Sequence, residues 1–171
     1  MARVIVVSGT VGAGKTTTAG ALRHLLASHG NVCADIDLDA LCQLSPTPAH
    51  DPFNNRLGLA NLAAVWPNYV AAGATHLVLA RVVEDPADRA RYAGALPGCE
   101  LRIVRIEAAA ETRARRLTAR EEGAASREWH LARSDVLADR LQELDLDDLV
   151  ISNEGRPIED VAAEILERLG W

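Results

Sequence analysis

Near the N-terminus, Gly9-Thr10-Val11-Gly12-Ala13-Gly14-Lys15-Thr16 fits the pattern G-x-x-x-x-G-K-[ST] at every fixed position. That spacing suits a polyphosphate. Glycines allow backbone N–H groups to close on a compact anion, and the start of a following helix adds the positive end of its dipole. The Lys15 ammonium is placed for the β- and γ-phosphates, and the Thr16 hydroxyl offers Mg²⁺ a hard oxygen. Gly9, Thr10, Val11, Gly12, Ala13, Gly14, Lys15, Thr16 and Thr17 are therefore the candidate nucleotide contacts. Composition adds weight to Lys15: the chain has 18 Lys plus Arg residues, and Lys15 is the only lysine among them. A flexible ammonium fits inside such a loop where a planar guanidinium is too bulky, so the one exception to an arginine bias points to chemistry.

A loop of this kind needs a strand to deliver it and a helix to receive it. The apolar run Val4-Ile5-Val6-Val7 reads as a buried strand, and residues 17–29 read as a helix with Ala19, Leu22, Leu25 and Leu26 on one face. Gly30-Asn31 stops that helix, and a second strand, Val32 to Ile36, runs into Asp37-Leu38-Asp39-Ala40-Leu41. Pro46, Pro48 and Pro52 mark an irregular loop. Residues 56–72 are helical in period, Pro67 is expected to break or kink them, and Gly73 closes them. A third strand, 75–80, ends at Arg81. A short helix over 85–95 and a fourth strand over 101–106 follow. Helices over 111–121 and 128–144 are joined by Gly123-Ala124-Ala125-Ser126, whose lack of bulk suggests a hinge. The fifth strand is 149–152, the loop Asn153-Glu154-Gly155-Arg156-Pro157 comes next, and the last helix is 159–169. Strands alternate with helices throughout, which predicts an α/β fold: a five-stranded parallel sheet with helices on both faces. A length of 171 residues fits a single domain over 1–171.

The net charge of −6 argues against a nucleic-acid surface, which would need a basic stripe. Cys33, Cys42 and Cys99 have no metal-ligand spacing and cannot all pair with one another, so reduced thiols in a cytoplasmic protein are expected. No apolar stretch approaches the 18 or so residues of a membrane span, and no export signal is legible. The histidines His24, His29, His50, His76 and His130 are scattered, and Trp66, Trp129 and Trp171 read as packing residues. Oligomeric state is not legible.

The loop and the order of elements resemble the small P-loop kinases: adenylylsulfate, gluconate, shikimate and nucleoside monophosphate kinases and chloramphenicol phosphotransferase. The resemblance spans the chain as an order of elements, with the P-loop as its specific motif. It implies the three-layer P-loop NTPase fold, ATP and Mg²⁺ as cofactors, and a small-molecule acceptor. In that family the second strand ends in acids written DGDxL or DxD, and Asp37-Leu38-Asp39-Ala40-Leu41 fits DxDxL. By that resemblance Asp37 and Asp39 orient or deprotonate the acceptor hydroxyl, and Asp37 joins Thr16 at the metal. The residues alone also permit these acids to cap a helix starting at Ala40.

The third strand ends in Ala80 rather than the aspartate of motor and switch NTPases, which counts against those classes. Arg81 follows at the edge where ligands bind in open α/β sheets, as an acceptor contact or as the ion-pair partner of Glu84 or Asp85. Arg116-Leu117-Thr118-Ala119-Arg120 is similar to the family's R-L-x-x-R. The spacing puts both guanidinium groups on one helix face, as phosphate-facing arginines of a lid over 116–133 or as a solvated face paired with Glu121 and Glu122. Arg127 and Arg133 are weaker lid candidates. Asn153, Arg156 and Pro157 occupy the place where these kinases hold adenine, mainly through backbone groups. The acceptor is expected between Asp37 or Asp39, Arg56 and Arg81, under the segment 44–72. The resulting expectation is an ATP-dependent kinase acting on a hydroxyl. The alternative is a nucleotide-dependent regulator or ATPase with no small acceptor.

Overall fold

A computed structural model describes residues 1–120 and 123–171. Its five strands are β1 (Arg3–Ser8), β2 (Cys33–Asp37), β3 (His76–Ala80), β4 (Glu100–Glu107) and β5 (Leu149–Ser152). All are parallel and ordered β2-β3-β1-β4-β5, with β1 at the centre. Val4 is in register with Leu77 on one side and Leu101 on the other. A central parallel strand is covered on both faces, which is why β1 is apolar without interruption. Val4 and Val6 join Leu62, Trp66 and Tyr92 on one face, while Ile5 and Val7 join Leu22, Leu26, Val161 and Ile165 on the other. Helices α1 (Lys15–Ser28) and α6 (Ile158–Leu169) supply the second layer, and α2 (Asn55–Ala71) and α3 (Asp88–Ala95) supply the first. Two further helices, α4 (Ala110–Arg120) and α5 (Ala124–Leu144), pack against one another over the carboxyl edge.

Three expectations from sequence are corrected. Pro67 does not break α2, which is continuous around it. The missing N–H leaves the carbonyl of Ala63 on the exposed face, where water can satisfy it. Residues 124–126 are not part of a connector, because α5 begins at Ala124 rather than at 128, with Gly123 extended before it at φ −89° and ψ 132°. Alanine is the best helix former, so small residues here lengthen the helix. Finally, residues 85–87 precede α3, where the Asp88 carboxylate accepts from the amides of Glu84 and Asp85. No described helix is long and apolar enough to cross a membrane.

Candidate active site

The carboxyl ends of β1, β2 and β3 open into one cleft of about 1000 Å³, roofed by α4 and α5. Its floor is the P-loop. The first-turn amides of α1 lack intrahelical partners, as at any helix start, and they are aimed at whatever anion the loop holds. The loop's outward carbonyls are tied down from three elements. Ser134 of α5 donates to Val11 O at 2.9 Å, Arg116 of α4 donates to Ala13 O at 3.1 Å and Gly12 O at 3.3 Å, and Asn153 donates to Ala13 O at 2.7 Å. Arg113 holds Ser134 in turn, donating to its hydroxyl at 2.9 Å. None of these tethers was legible in the sequence, since each bond to the loop joins residues more than 100 positions apart and the Arg113–Ser134 bond joins two separate helices.

Two glycines are required by close approach. A Cβ on Gly9 would lie 2.5 Å from the Ile106 carbonyl oxygen, and one on Gly12 would lie 3.0 Å from the Arg113 carbonyl oxygen and 3.1 Å from Leu117 Cγ. Gly12 also has φ +81°, which L side chains rarely adopt. Gly12→Ala is expected to cost about 1–3 kcal/mol by strain and overpacking. A thermal melt of the nucleotide-free protein should fall by about 2–4 °C per kcal/mol. An unchanged melting temperature would show that α4 is not seated on the loop.

Lys15 Nζ donates to the carbonyls of Gly9 and Thr10, each at 3.0 Å. Burial lowers its pKa from 10.5 to about 8 against the opposing pull of Asp39 and Asp37, and the nearby guanidinium groups of Arg120 and Arg81 add to the lowering. The ammonium thus rests on two backbone carbonyl oxygens, with Asp37 and Asp39 near enough to act on its charge. Thr16 Oγ1 donates to Asp37 Oδ2 at 3.1 Å, so a hydroxyl and a carboxylate oxygen from two different elements meet beside it. These are hard oxygen donors of the kind Mg²⁺ accepts, and Mg²⁺ commonly takes only one or two protein ligands beside phosphate and water. Among the described residues no group of three or more His, Cys, Asp or Glu side chains is arranged to hold a metal.

Asp37 also caps the short 3₁₀ turn Leu38–Cys42 by accepting from the Asp39 amide at 3.0 Å. Capping and site placement, opposed as alternatives in the sequence, coexist on its two oxygens. Asp35 points elsewhere and pairs with Arg23 at 2.6 Å. Arg81 pairs with Asp39 and with Asn55 Oδ1, which corrects the expected pairing with Glu84 or Asp85. The reason is direction: Arg81 turns back across the strand ends toward β2, while Asp85 pairs with Arg91 and Glu84 pairs with Arg133. Arg56 is exposed and does not line the cleft, which corrects its expected place beside the acceptor. On α2 the preceding residue, Asn55, faces the cleft instead.

Arg116 and Arg120 both line the cleft. Arg116 is already bonded to the loop with no closure required, because α4 lies directly on Gly12. The expected pairing with Glu121 and Glu122 falls outside the described residues. Asn153 is buried behind the loop, accepting from Arg116 at 3.4 Å. Arg156 pairs with Glu164 at 2.7 Å and Pro157 precedes α6, so neither lines the cleft. Arg133, a weaker lid candidate, is held by Glu84 at 2.6 Å. Trp66 is core, but Trp129 is not a packing residue: it is half-exposed on the cleft wall with Phe53. Sequence reasoning missed Phe53, Asn55 and Tyr92, which carry no motif and come together only through the packing of α2, α3 and α5.

A family model described as an AAA domain matches residues 5–143. No curated protein matches the sequence. Among solved structures, a sugar kinase from Janibacter sp. HTCC2649 superposes with a TM-score of 0.66 and 22% identity, over 99% of this chain and 95% of that one. The tunicamycin resistance protein of Deinococcus radiodurans gives 0.65 and 22%, over 99% and 96%. The APS kinase of Mycobacterium tuberculosis, solved with AMPPNP and APS, gives 0.58 and 18%, over 99% and 98%. At these identities the likeness is one of fold, and it extends along the whole chain. The family match is broader in meaning and covers more than half of the 171 residues, the P-loop and its roof included, so the chain belongs to the AAA-domain family, built on the fold of the small P-loop kinases.

Proposed function

We propose that this protein is an ATP-dependent kinase that transfers the γ-phosphoryl group to a hydroxyl of a small molecule. The observation that carries the reading is one continuous cleft joining Lys15 and Thr16 of the P-loop to Asp37, Asp39 and Arg81, with a lining that extends past them to Tyr92 and Trp129, and a second ligand is proposed to sit there. A dedicated hydrolase needs only room for water there. The loop holds the phosphates, and Thr16 and Asp37 would hold Mg²⁺. When bound, that ion supplies charge neutralisation on the phosphates.

Asp37 and Asp39 orient the acceptor hydroxyl and take its proton. Its oxygen forms a bond to the γ-phosphorus, the bond to the bridging oxygen breaks, and ADP leaves. Arg81 holds Asp39 in place, and Arg120 faces the transferring group. The test is acceptor-dependent ADP release across a panel of hydroxylated metabolites and antibiotics. Release should be slow without acceptor and stimulated with one. Asp37→Asn or Asp39→Asn should lower the stimulated rate by about 10²-fold, the lower range for losing general-base help. Rapid hydrolysis that no acceptor changes would favour the ATPase reading.

A further inference from the structure

The end of the cleft away from the P-loop is crowded with charge, yet its charges cancel. Arg81 is held by Asp39 and Asn55. Arg91 is held by Asp85 at 2.8 Å and Asp88 at 2.7 Å. Glu84 takes Arg133 at 2.6 Å on its carboxylate, and Arg140 donates to its carbonyl oxygen at 3.0 Å. Four guanidinium groups thus face four carboxylates along this wall, with Glu84 shared between Arg133 at 2.6 Å and Arg140 at 3.7 Å. An incoming carboxylate, sulfate or phosphate would have to displace an acid from its arginine and would meet that acid's charge at close range.

The neutral part of the same surface is aromatic. Three of the chain's six Phe, Tyr and Trp residues, Phe53, Tyr92 and Trp129, line this cleft. Phe53 and Trp129 are each 54% exposed, in a protein that buries most of its other large apolar side chains. Phe53 is on the loop before α2 and Trp129 on α5, and Arg133 of α5 lies 6.0 Å from the Phe53 ring centroid. Trp129 also meets the His130 ring edge-on at 4.9 Å, and half-exposed aromatic rings in a concave site recover their remaining exposure by stacking on a flat apolar surface. Tyr92 is buried at the cleft wall, where burial, with the charge of Asp88, keeps its hydroxyl un-ionised and able to donate a hydrogen bond.

We infer that the acceptor is an uncharged, hydroxylated molecule with a flat apolar or aromatic face, stacked by Phe53 and Trp129 and held by hydrogen bonds rather than by ion pairs. This rests on the kinase reading above. The test is ADP release with aryl glycosides and cyclic polyols, each carboxylate-bearing compound run beside its methyl ester and its primary carboxamide, the carboxamide matching the carboxylate in size so that the added methyl group of the ester is controlled for. Within an active set the ester and the carboxamide should both have the higher kcat/KM by about tenfold or more. For the neutral acceptor, Phe53→Ala and Trp129→Ala should raise KM by about threefold to tenfold with a smaller effect on kcat, and Trp129→Phe should restore much of the loss.

Preference for the charged member of a set, or unchanged KM in both alanine variants, overturns the inference and leaves the kinase reading standing. No acceptor-dependent release from any compound, with ATP still bound, removes the kinase reading and this inference with it.

Discussion

Lys15→Ala is expected to abolish phosphoryl transfer while the protein still folds. The ammonium lies inside the P-loop on two backbone carbonyls, contributes nothing to either apolar layer, and is the lysine that would neutralise the β- and γ-phosphates. The loop itself does not depend on it. Ser134, Arg116 and Asn153 hold its carbonyls from outside, and the Thr18 amide bonds Gly14 O at 2.9 Å. Removing Lys15 also removes a charge whose burial lowers its pKa, so the melting temperature should not fall.

Lys15→Arg should fail as well. Both 3.0 Å contacts lie within the turn, which has no room for a planar, forked guanidinium that is one atom longer and two heavy atoms larger. The check is a single-turnover assay beside a melt of each variant. Turnover at the wild-type rate in Lys15→Arg would remove the significance of the lone lysine, and turnover in Lys15→Ala would remove the loop from the chemistry.

The second large effect is a division of labour between Arg116 and Arg120. Arg120→Ala is expected to lower the single-turnover rate by about 10³-fold, the scale of an arginine that stabilises the transferring phosphoryl group, with a much smaller change in nucleotide affinity. Its guanidinium lies on the cleft wall, near enough to Lys15 to contribute to the lowering of that group's pKa. Arg116→Ala should behave differently. It removes donors to Gly12 O and Ala13 O and to the Asn153 side chain, so the loop loses a tether and nucleotide affinity should fall together with the rate. An exposed ion pair is worth at most about 1 kcal/mol and nothing in catalysis, so the two readings are far apart in magnitude. Equal losses of rate and affinity in both variants would mean that α4 acts as one block. A wild-type rate in Arg120→Ala would reduce its end to a solvated helix face.

Much of this molecule is local in origin and was readable as such. Gly9 to Thr16 is a contiguous motif whose chemistry depends on backbone shape and one side chain, and the apolar runs of β1 and β3 announce strands buried on both faces. The sheet's parallel sense follows from the alternation of elements. Asp37 and Asp39 stood out through their fit to the DxDxL pattern of the small P-loop kinases, at and just past the end of the second strand. The rest depends on which side chains distant segments bring together, and local pattern does not encode that. Arg81 chose Asp39 and Asn55 over its near neighbours because β2 and the start of α2 flank the end of β3 in space.

On α2, Asn55 rather than Arg56 turned inward, since one residue along a helix rotates a side chain by about 100°. Asn153 became a prop for the P-loop because β5 delivers it behind Ala13, where a buried amide satisfies a carbonyl that water cannot reach. Phe53 and Trp129 were invisible as a pair for the same reason. They lie 76 positions apart, and only the packing of α5 over the sheet edge brings both into the lining of one cleft.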